Sequence, residues 1–331
     1  MLKPRNFITC LFLFIGVMLP SLLWGQDVIF SQYLENSLSA NPAFAGVSGN
    51  SETLLAYRQE RFGALSQFET FSAVYQQPAE WLHGGFGVML YRDAATRGFI
   101  SKNAISVIYA YHLRLSRSWN LSSGFQTTFV QQNLNTNGII LPDMIDPSRG
   151  VVLPSSQTIN PWSRFYFDFQ VGFLMYDKHW FYSISAFHLM EPQMSPVKIP
   201  ETMQQRRYSF FMGRSFIFDL PSSTFNKLKI VPWAGYFYQA GHALIRAGSS
   251  AHVGPLSAGL GWQGSYSRTR HYLISSFAFA TKNIRFTYSY SVSPGRTSGG
   301  TMNNIHEITL SYFIDRENLL VLPFTINLIG F

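Results

Sequence analysis

A membrane-spanning antiparallel β-barrel of about fourteen strands is the fold this sequence predicts, and three observations predict it. The first is strict alternation. Ile284, Phe286, Tyr288, Tyr290 and Val292 interleave with Arg285, Thr287, Ser289 and Ser291; Ile308, Leu310, Tyr312 and Ile314 interleave with Glu307, Thr309, Ser311 and Phe313. Side chains in a strand point to opposite faces with period two, so each segment has one greasy wall and one wet wall. The second is composition: hydrophobic residues make up 47% and aromatics 16%, but charged residues only 13%. Soluble domains carry about 25% charged residues. A soluble β-sandwich, which also uses many short strands, would need a charged exterior, whereas the lipid-facing positions of a barrel must be uncharged. The third is the rhythm of the connections. Tight turns at 78–81, 116–117, 177–178, 254–255 and 281–282 alternate with longer polar links at 93–100, 133–161, 189–204, 265–270 and 293–304, and only the pair at 219–226 and 241–242 breaks the rhythm. Short periplasmic turns and long outer loops are the habit of bacterial outer-membrane barrels.

Residues 1–25 read as a secretion signal that is removed. Lys3 and Arg5 supply a positive start, Phe7 to Leu19 an apolar run, Pro20 a break and Gly25 a small residue for cleavage. The run falls short of the roughly 20 residues a membrane helix needs. Cys10, the only cysteine, lies inside this signal. The mature chain is therefore expected to lack thiols, which excludes thiol catalysis, cysteine-ligated metal and disulfides. The formal net charge of +8 falls to +6 once Lys3 and Arg5 leave, and it is diffuse, with no basic run beyond Arg206–Arg207. Nucleic acid is not an expected partner; outer-membrane lipid is.

Residues 26–50 do not fit the strand pattern and form a head segment. Asn41-Pro42 starts a turn, because the residue before proline is pushed away from helix. Small Ala43, Ala45 and Gly46 allow close backbone approach, and Phe30, Tyr33, Leu38 and Phe44 are anchors suited to wedging into the periplasmic mouth. Both a structural plug and a partner-docking element fit this segment.

Residues 51–314 carry the barrel, with strands near 51–60, 67–77, 82–92, 101–115, 118–132, 162–176, 179–188, 205–218, 227–240, 243–253, 256–264, 271–280, 283–292 and 305–314. The clearest greasy faces are Phe165, Phe167, Phe169, Val171, Phe173 and Met175, and Ile105, Val107, Tyr109, Tyr111 and Leu113. Aromatics near strand ends (Tyr91, Trp119, Trp162, Trp180, Tyr182, Trp233, Tyr236, Tyr238, Trp262 and Tyr272) fit interfacial girdles, and core packing explains some of them equally well. An even strand count puts both barrel ends in the periplasm and the 133–161 and 189–204 loops outside. Residues 315–331 form a C-terminal tail.

The head and the strands together resemble a known family. Phe30-Ser31-Gln32-Tyr33, a short gap, then Asn41-Pro42-Ala43-Phe44-Ala45-Gly46 is similar to the head of the PorP/SprF family of the Bacteroidetes type IX secretion system. Ala110-Tyr111-His112-Leu113, Ala186-Phe187-His188-Leu189 and His306-Glu307-Ile308-Thr309-Leu310-Ser311-Tyr312 resemble further family segments. This chain departs from the family in having Asn36-Ser37-Leu38 where Asn-Pro-Leu is common, and in extending to Phe331. The resemblance implies a non-enzymatic barrel in the outer membrane. It implies help in exporting, or holding at the surface, large cargo with a type IX C-terminal signal, gliding adhesins in some relatives. It also implies contact with secretion components including the periplasmic ring, and the head motif residues Phe30, Ser31, Gln32, Tyr33, Asn41, Pro42, Ala43, Phe44 and Gly46 are the expected docking elements.

The residues themselves offer little chemistry. The eight histidines are scattered, with no pair at metal-ligand spacing, and no nucleophile, base and orienting group come together. No cofactor or metal is expected. Gly84-Gly85-Phe86-Gly87 resembles part of a phosphate loop, but no helix follows, and glycines easing a strand bend account for it better. Asp143 and Asp146 read as an ordinary polar turn. Arg164, Asp168, Arg285 and Glu307 fall on the wet wall and are expected in the lumen, as pore lining or as a salt-bridged filling, because charge is costly in hydrocarbon. The alternative functional expectation is an outer-membrane transporter for hydrophobic small molecules, like a long-chain fatty-acid channel; a lipid-modifying barrel enzyme is a more distant rival.

Overall fold

The alternation closes on itself. In a computed structural model the structure describes residues 27–62, 66–95, 98–136, 142–146, 148, 150–151, 159–196, 202–221, 227–265, 271–296 and 302–314. The expected signal, the tail and much of the 133–161 loop lie outside the described residues. Fourteen strands make the wall: β1 Ser51–Phe62, β2 Ser66–Ala79, β3 Gly84–Ala95, β4 Ile100–Arg114, β5 Asn120–Leu134, β6 Trp162–Tyr176 and β7 Trp180–Phe187, then β8 in two stretches, Arg207–Arg214 and Phe216–Asp219. The wall continues with β9 Lys227–Gln239, β10 His242–Val253, β11 Leu256–Ser265, β12 His271–Ala280, β13 Ile284–Arg296 and β14 Met302–Ile314. Each strand pairs antiparallel with its neighbours in sequence, and β14 pairs with β1, so the sheet has no free edge. Closure of this kind satisfies every backbone ladder internally, the condition for crossing lipid with strands.

The two stretches of β8 keep one register against β9, Gly213 opposite Trp233 and Phe216 opposite Ile230. Pairing with β9 lapses at Arg214 and Ser215, which this register sets opposite Pro232 and Val231, and Pro232 has no N–H to donate to a ladder. At the other ends of the wall β13 and β14 run longer than the alternation predicts, because pairing resumes past a register shift between Val292 and Arg296.

Neighbouring residues show the two faces directly. Val107 is 62% exposed and Ile108 is fully buried; Phe173 is 53% exposed and Leu174 fully buried. The outward sides of β4, β6, β13 and β14 present the expected apolar residues to lipid. The inward side, however, is not uniformly wet. In the short-turn half, Ile108, Ala110, Leu174, Phe181, Phe211 and Val231 form an apolar core.

Three of the aromatics near strand ends also turn inward. Tyr91 and Trp233 pack against that core, and Tyr272 is buried in the lumen. Their strands decide this, because Leu90, Tyr236 and Leu273, of opposite parity, take the lipid side. Trp119, Tyr182 and Trp180 stack side by side near the short-turn rim. We expect Val107→Arg to cost about 2–4 kcal/mol, the usual penalty for a cation on the lipid face near mid-strand. Reduced folding yield in lipid vesicles reads this out, and an unaffected yield would contradict the assignment of faces.

Candidate functional site in the lumen

Residues 27–50 lie inside the barrel, not across its mouth. Asp27 sits in the long-loop half beside Arg207 and Gln239, and the chain runs down the lumen to enter β1 at the short-turn rim. Two single-turn 3-10 helices, Ser37–Ser39 and Pro42–Phe44, fold it compactly. A segment buried this way must find partners for its backbone groups, and the wall supplies them residue by residue.

The Phe30-Ser31-Gln32-Tyr33 stretch is gripped by Glu307. Both carboxylate oxygens accept from the Ser31 N–H at 2.8 Å, and one accepts from the Gln32 N–H at 3.1 Å. Arg58 Nε donates to the same carboxylate at 3.1 Å, so the charge is balanced out of water. Ser31 Oγ meets Ser291 Oγ at 3.1 Å, and Gln32 Nε2 donates to Ser289 Oγ at 3.2 Å. Arg246, fully buried, donates to the Phe30 carbonyl at 2.6 Å. Tyr33 stacks on Phe211 with ring centroids 3.6 Å apart, and its hydroxyl meets Ser183 Oγ at 3.1 Å.

The Asn41-Pro42-Ala43-Phe44-Ala45-Gly46 turn rests on a shelf of small residues. Gly85, Ala110, Gly124, Gly172, Ser185 and Ser209 stand directly opposite one another across six consecutive strands, β3 to β8. A Cβ at Gly124 would overlap the backbone of Pro42 and Ala43, one at Gly172 the Asn41 amide, and one at Gly85 the backbone of Ala45 and Gly46. Gly85 is thus a close-approach glycine for the head. The shelf is also polar where it needs to be. Asn41 Oδ1 caps the Ala43 N–H at 2.8 Å while Nδ2 donates to Ser183 Oγ at 2.8 Å. Ser122 Oγ and His112 Nε2 donate to the Ala43 and Ala45 carbonyls at 2.7 and 3.0 Å. Phe44 is buried edge-on to Tyr33. Gly46, at φ +72°, turns the chain out of the shelf where its N–H reaches Gln76 Oε1.

At the upper end His188 stands between two carboxylates, with Nδ1 on Asp168 and Nε2 on Asp27. A neutral imidazole has one N–H, so donating to both acids requires the imidazolium. Burial opposes charge on both groups. The Asp27 charge and the two hydrogen bonds nevertheless hold the His188 imidazole above its ordinary pKa, and His188 with Arg207 holds Asp27 below the carboxylate range. Gln204 Nε2 adds a donor to Asp27 at 2.6 Å.

The four lumen charges named from the sequence make contacts in different parts of the lumen. Glu307 and Asp168 each hold a different part of the assembly, Arg164 donates to the Ser195 carbonyl at 3.0 Å, and Arg285 lies 5.0 Å over the Phe313 ring. Sequence reasoning missed Asp27, Arg58, Arg207 and Arg246, which read as ordinary polar positions until the topology brings them to the head.

The chemistry of this arrangement is retention: a peptide held by charge, backbone hydrogen bonds and shape. We expect Gly124→Ala to lower stability by about 1–3 kcal/mol, as overpacking against a backbone does. Glu307→Gln should cost about 3 kcal/mol, the lower end for breaking a buried pair, since Glu60 still contacts Arg58. Both variants should expose residues 27–50 to protease in the refolded barrel. Protection equal to the unaltered chain would contradict the grip described here.

Known proteins are similar to this chain at two levels. The toluene transporter TodX of Pseudomonas putida is 7% identical, with a TM-score of 0.46 over 87% of this chain and 94% of that one. The outer membrane protein Omp33 of Acinetobacter baumannii is 6% identical, with a TM-score of 0.44 over 81% of this chain and 100% of that one. These are similarities of barrel to barrel and go no further. No curated protein matches the chain. The family model of the type IX secretion system membrane protein PorP/SprF matches residues 24–312, a span that takes in the head, the shelf and all but the last two residues of β14. The chain belongs to the PorP/SprF family of type IX secretion system membrane proteins.

Proposed function

We propose that this chain is a non-enzymatic accessory barrel of type IX secretion. It reaches the outer membrane after loss of residues 1–25 and assists export, or surface attachment, of large cargo bearing a type IX C-terminal signal, gliding adhesins among the candidates. The observation that carries this reading is a family match across a barrel whose bore is held by its own head. A cylinder filled this way is suited to presenting surfaces. The long-loop end would offer 133–161 and 189–204 to cargo; the short-turn end, where Ser48 to Asn50 lead from the buried head motif into β1, would meet periplasmic parts such as the ring.

A transporter of hydrophobic molecules is the competing reading. The described lumen holds a cavity of about 410 Å³ in the long-loop half and one of about 90 Å³ beside the head, both lined in part by the head itself. A solute crossing the barrel would have to displace the head, against the contacts that Glu307 and the shelf make with it. Deletion of the protein should leave one or a few substrates stranded inside the cell while general secretion continues. Export of every substrate at the normal level would remove the secretion role, and uptake of hydrophobic ligand by liposomes carrying the pure protein would favour the transporter.

A further inference from the structure

The larger cavity has an unanswered charge in its wall. Arg207 lies 3.2 Å from Asp27, and Arg58 pairs with Glu60 and Glu307. Arg246 differs from both. Its side chain is 2% exposed, lines the cavity, and donates to the carbonyls of Phe30 and Ile29 at 2.6 and 3.1 Å. Among the described residues it has no carboxylate at ion-pair distance, so two head carbonyls face a whole positive charge. Buried charges are normally paired, because the cost of desolvating a cation is met only by an anion nearby.

The rest of the lining restricts what that anion is. Phe237 and Leu244 flank Arg246, the first with its ring 5.6 Å below the guanidinium. Glu60 on β1 and Asp93 on β3 line the cavity from strands across the barrel from β8 and β10. Those acids oppose a doubly charged phosphate more than a singly charged carboxylate, and each Nη of Arg246 keeps one N–H beyond its bond to the head. We propose that this cavity binds a carboxylate carried on an apolar arm, with Arg246 receiving the carboxylate and Phe237 and Leu244 the arm. A peptide C-terminus and a short alkyl acid share this chemistry. The inference stands on the cavity alone and does not require the secretion role.

Isothermal titration of the full chain, refolded in detergent, tests it with two matched pairs: acetyl-Leu-Phe against its amide, and hexanoate against hexanol. At least one acid should bind, and its neutral counterpart should bind roughly tenfold more weakly or worse, as loss of one charge-assisted contact implies. A gap in the peptide pair alone identifies a chain terminus as the source, a gap in the hexanoate pair alone an alkyl acid, and either supports the site. Arg246→Gln should erase the gap. Should that variant not fold, the unaltered protein still decides: no binding by either acid, or equal binding of acid and neutral partner in both pairs, overturns the proposal.

Discussion

Glu307 joins the barrel wall to the segment inside it. Its carboxylate is almost wholly removed from water, a position that is strongly unfavourable for an isolated charge. Arg58 balances that charge, while the N–H groups of Ser31 and Gln32 satisfy the oxygens in direction. Without the head, the carboxylate would lose its backbone donors; without the carboxylate, two backbone donors and a guanidinium would be left buried with fewer partners. Wall and head are therefore conditions for one another. The same reciprocity holds at the opposite side of the lumen, where His188 ties Asp27 of the head to Asp168 of β6.

Two solvents write the sequence of each strand. The outer face admits charge only toward its rims, at Arg61, Glu69, Arg92 and Arg214, which explains how a chain of this length carries so little charge. The inner face is divided by depth. Toward the long loops it is charged and leaves a cavity; toward the short turns it is apolar or small along β3 to β8, where it receives Leu38, Ala43 and Phe44, and carries buried Glu52, His252 and Arg285 on the other strands. The row from Gly85 to Ser209 marks the boundary. Its residues are small because the head's backbone lies against them, a restriction on strands that lipid exclusion alone would never impose.

Much of this was legible in the sequence, for reasons that can be stated. Strands at 162–176 and 271–280 match the alternation residue for residue, since period two is enforced when one face meets lipid. Parity also contained the fate of Tyr91, Trp233 and Tyr272, which nearness to strand ends alone left open between girdle and core. The extension of β13 past Val292 escaped because a register shift interrupts the pattern there. The segments that carried the family resemblance prove to share a physical role. Ala110 and His112 touch the Asn41–Gly46 turn region, His188 touches Asp27, and Glu307 holds Ser31 and Gln32. What stayed hidden were the cations Arg58, Arg207 and Arg246. A polar residue at an inward position looks the same whether it faces water or a backbone carbonyl more than 200 residues away, as Arg246 faces Phe30.

The most direct measurement of whether the head occupies the lumen uses a chain in which Cys10, the single native cysteine, is replaced by alanine. Ser31 and Ser291 bring their hydroxyl oxygens within 3.1 Å, close enough for the pair Ser31→Cys and Ser291→Cys to form a bridge. In barrels assembled in the outer membrane, both thiols should be lost to a disulfide and should react with maleimide only after reduction. Thiols that label freely in the folded, unreduced barrel would place the head outside the lumen and contradict the clasp on which the rest of the structure depends.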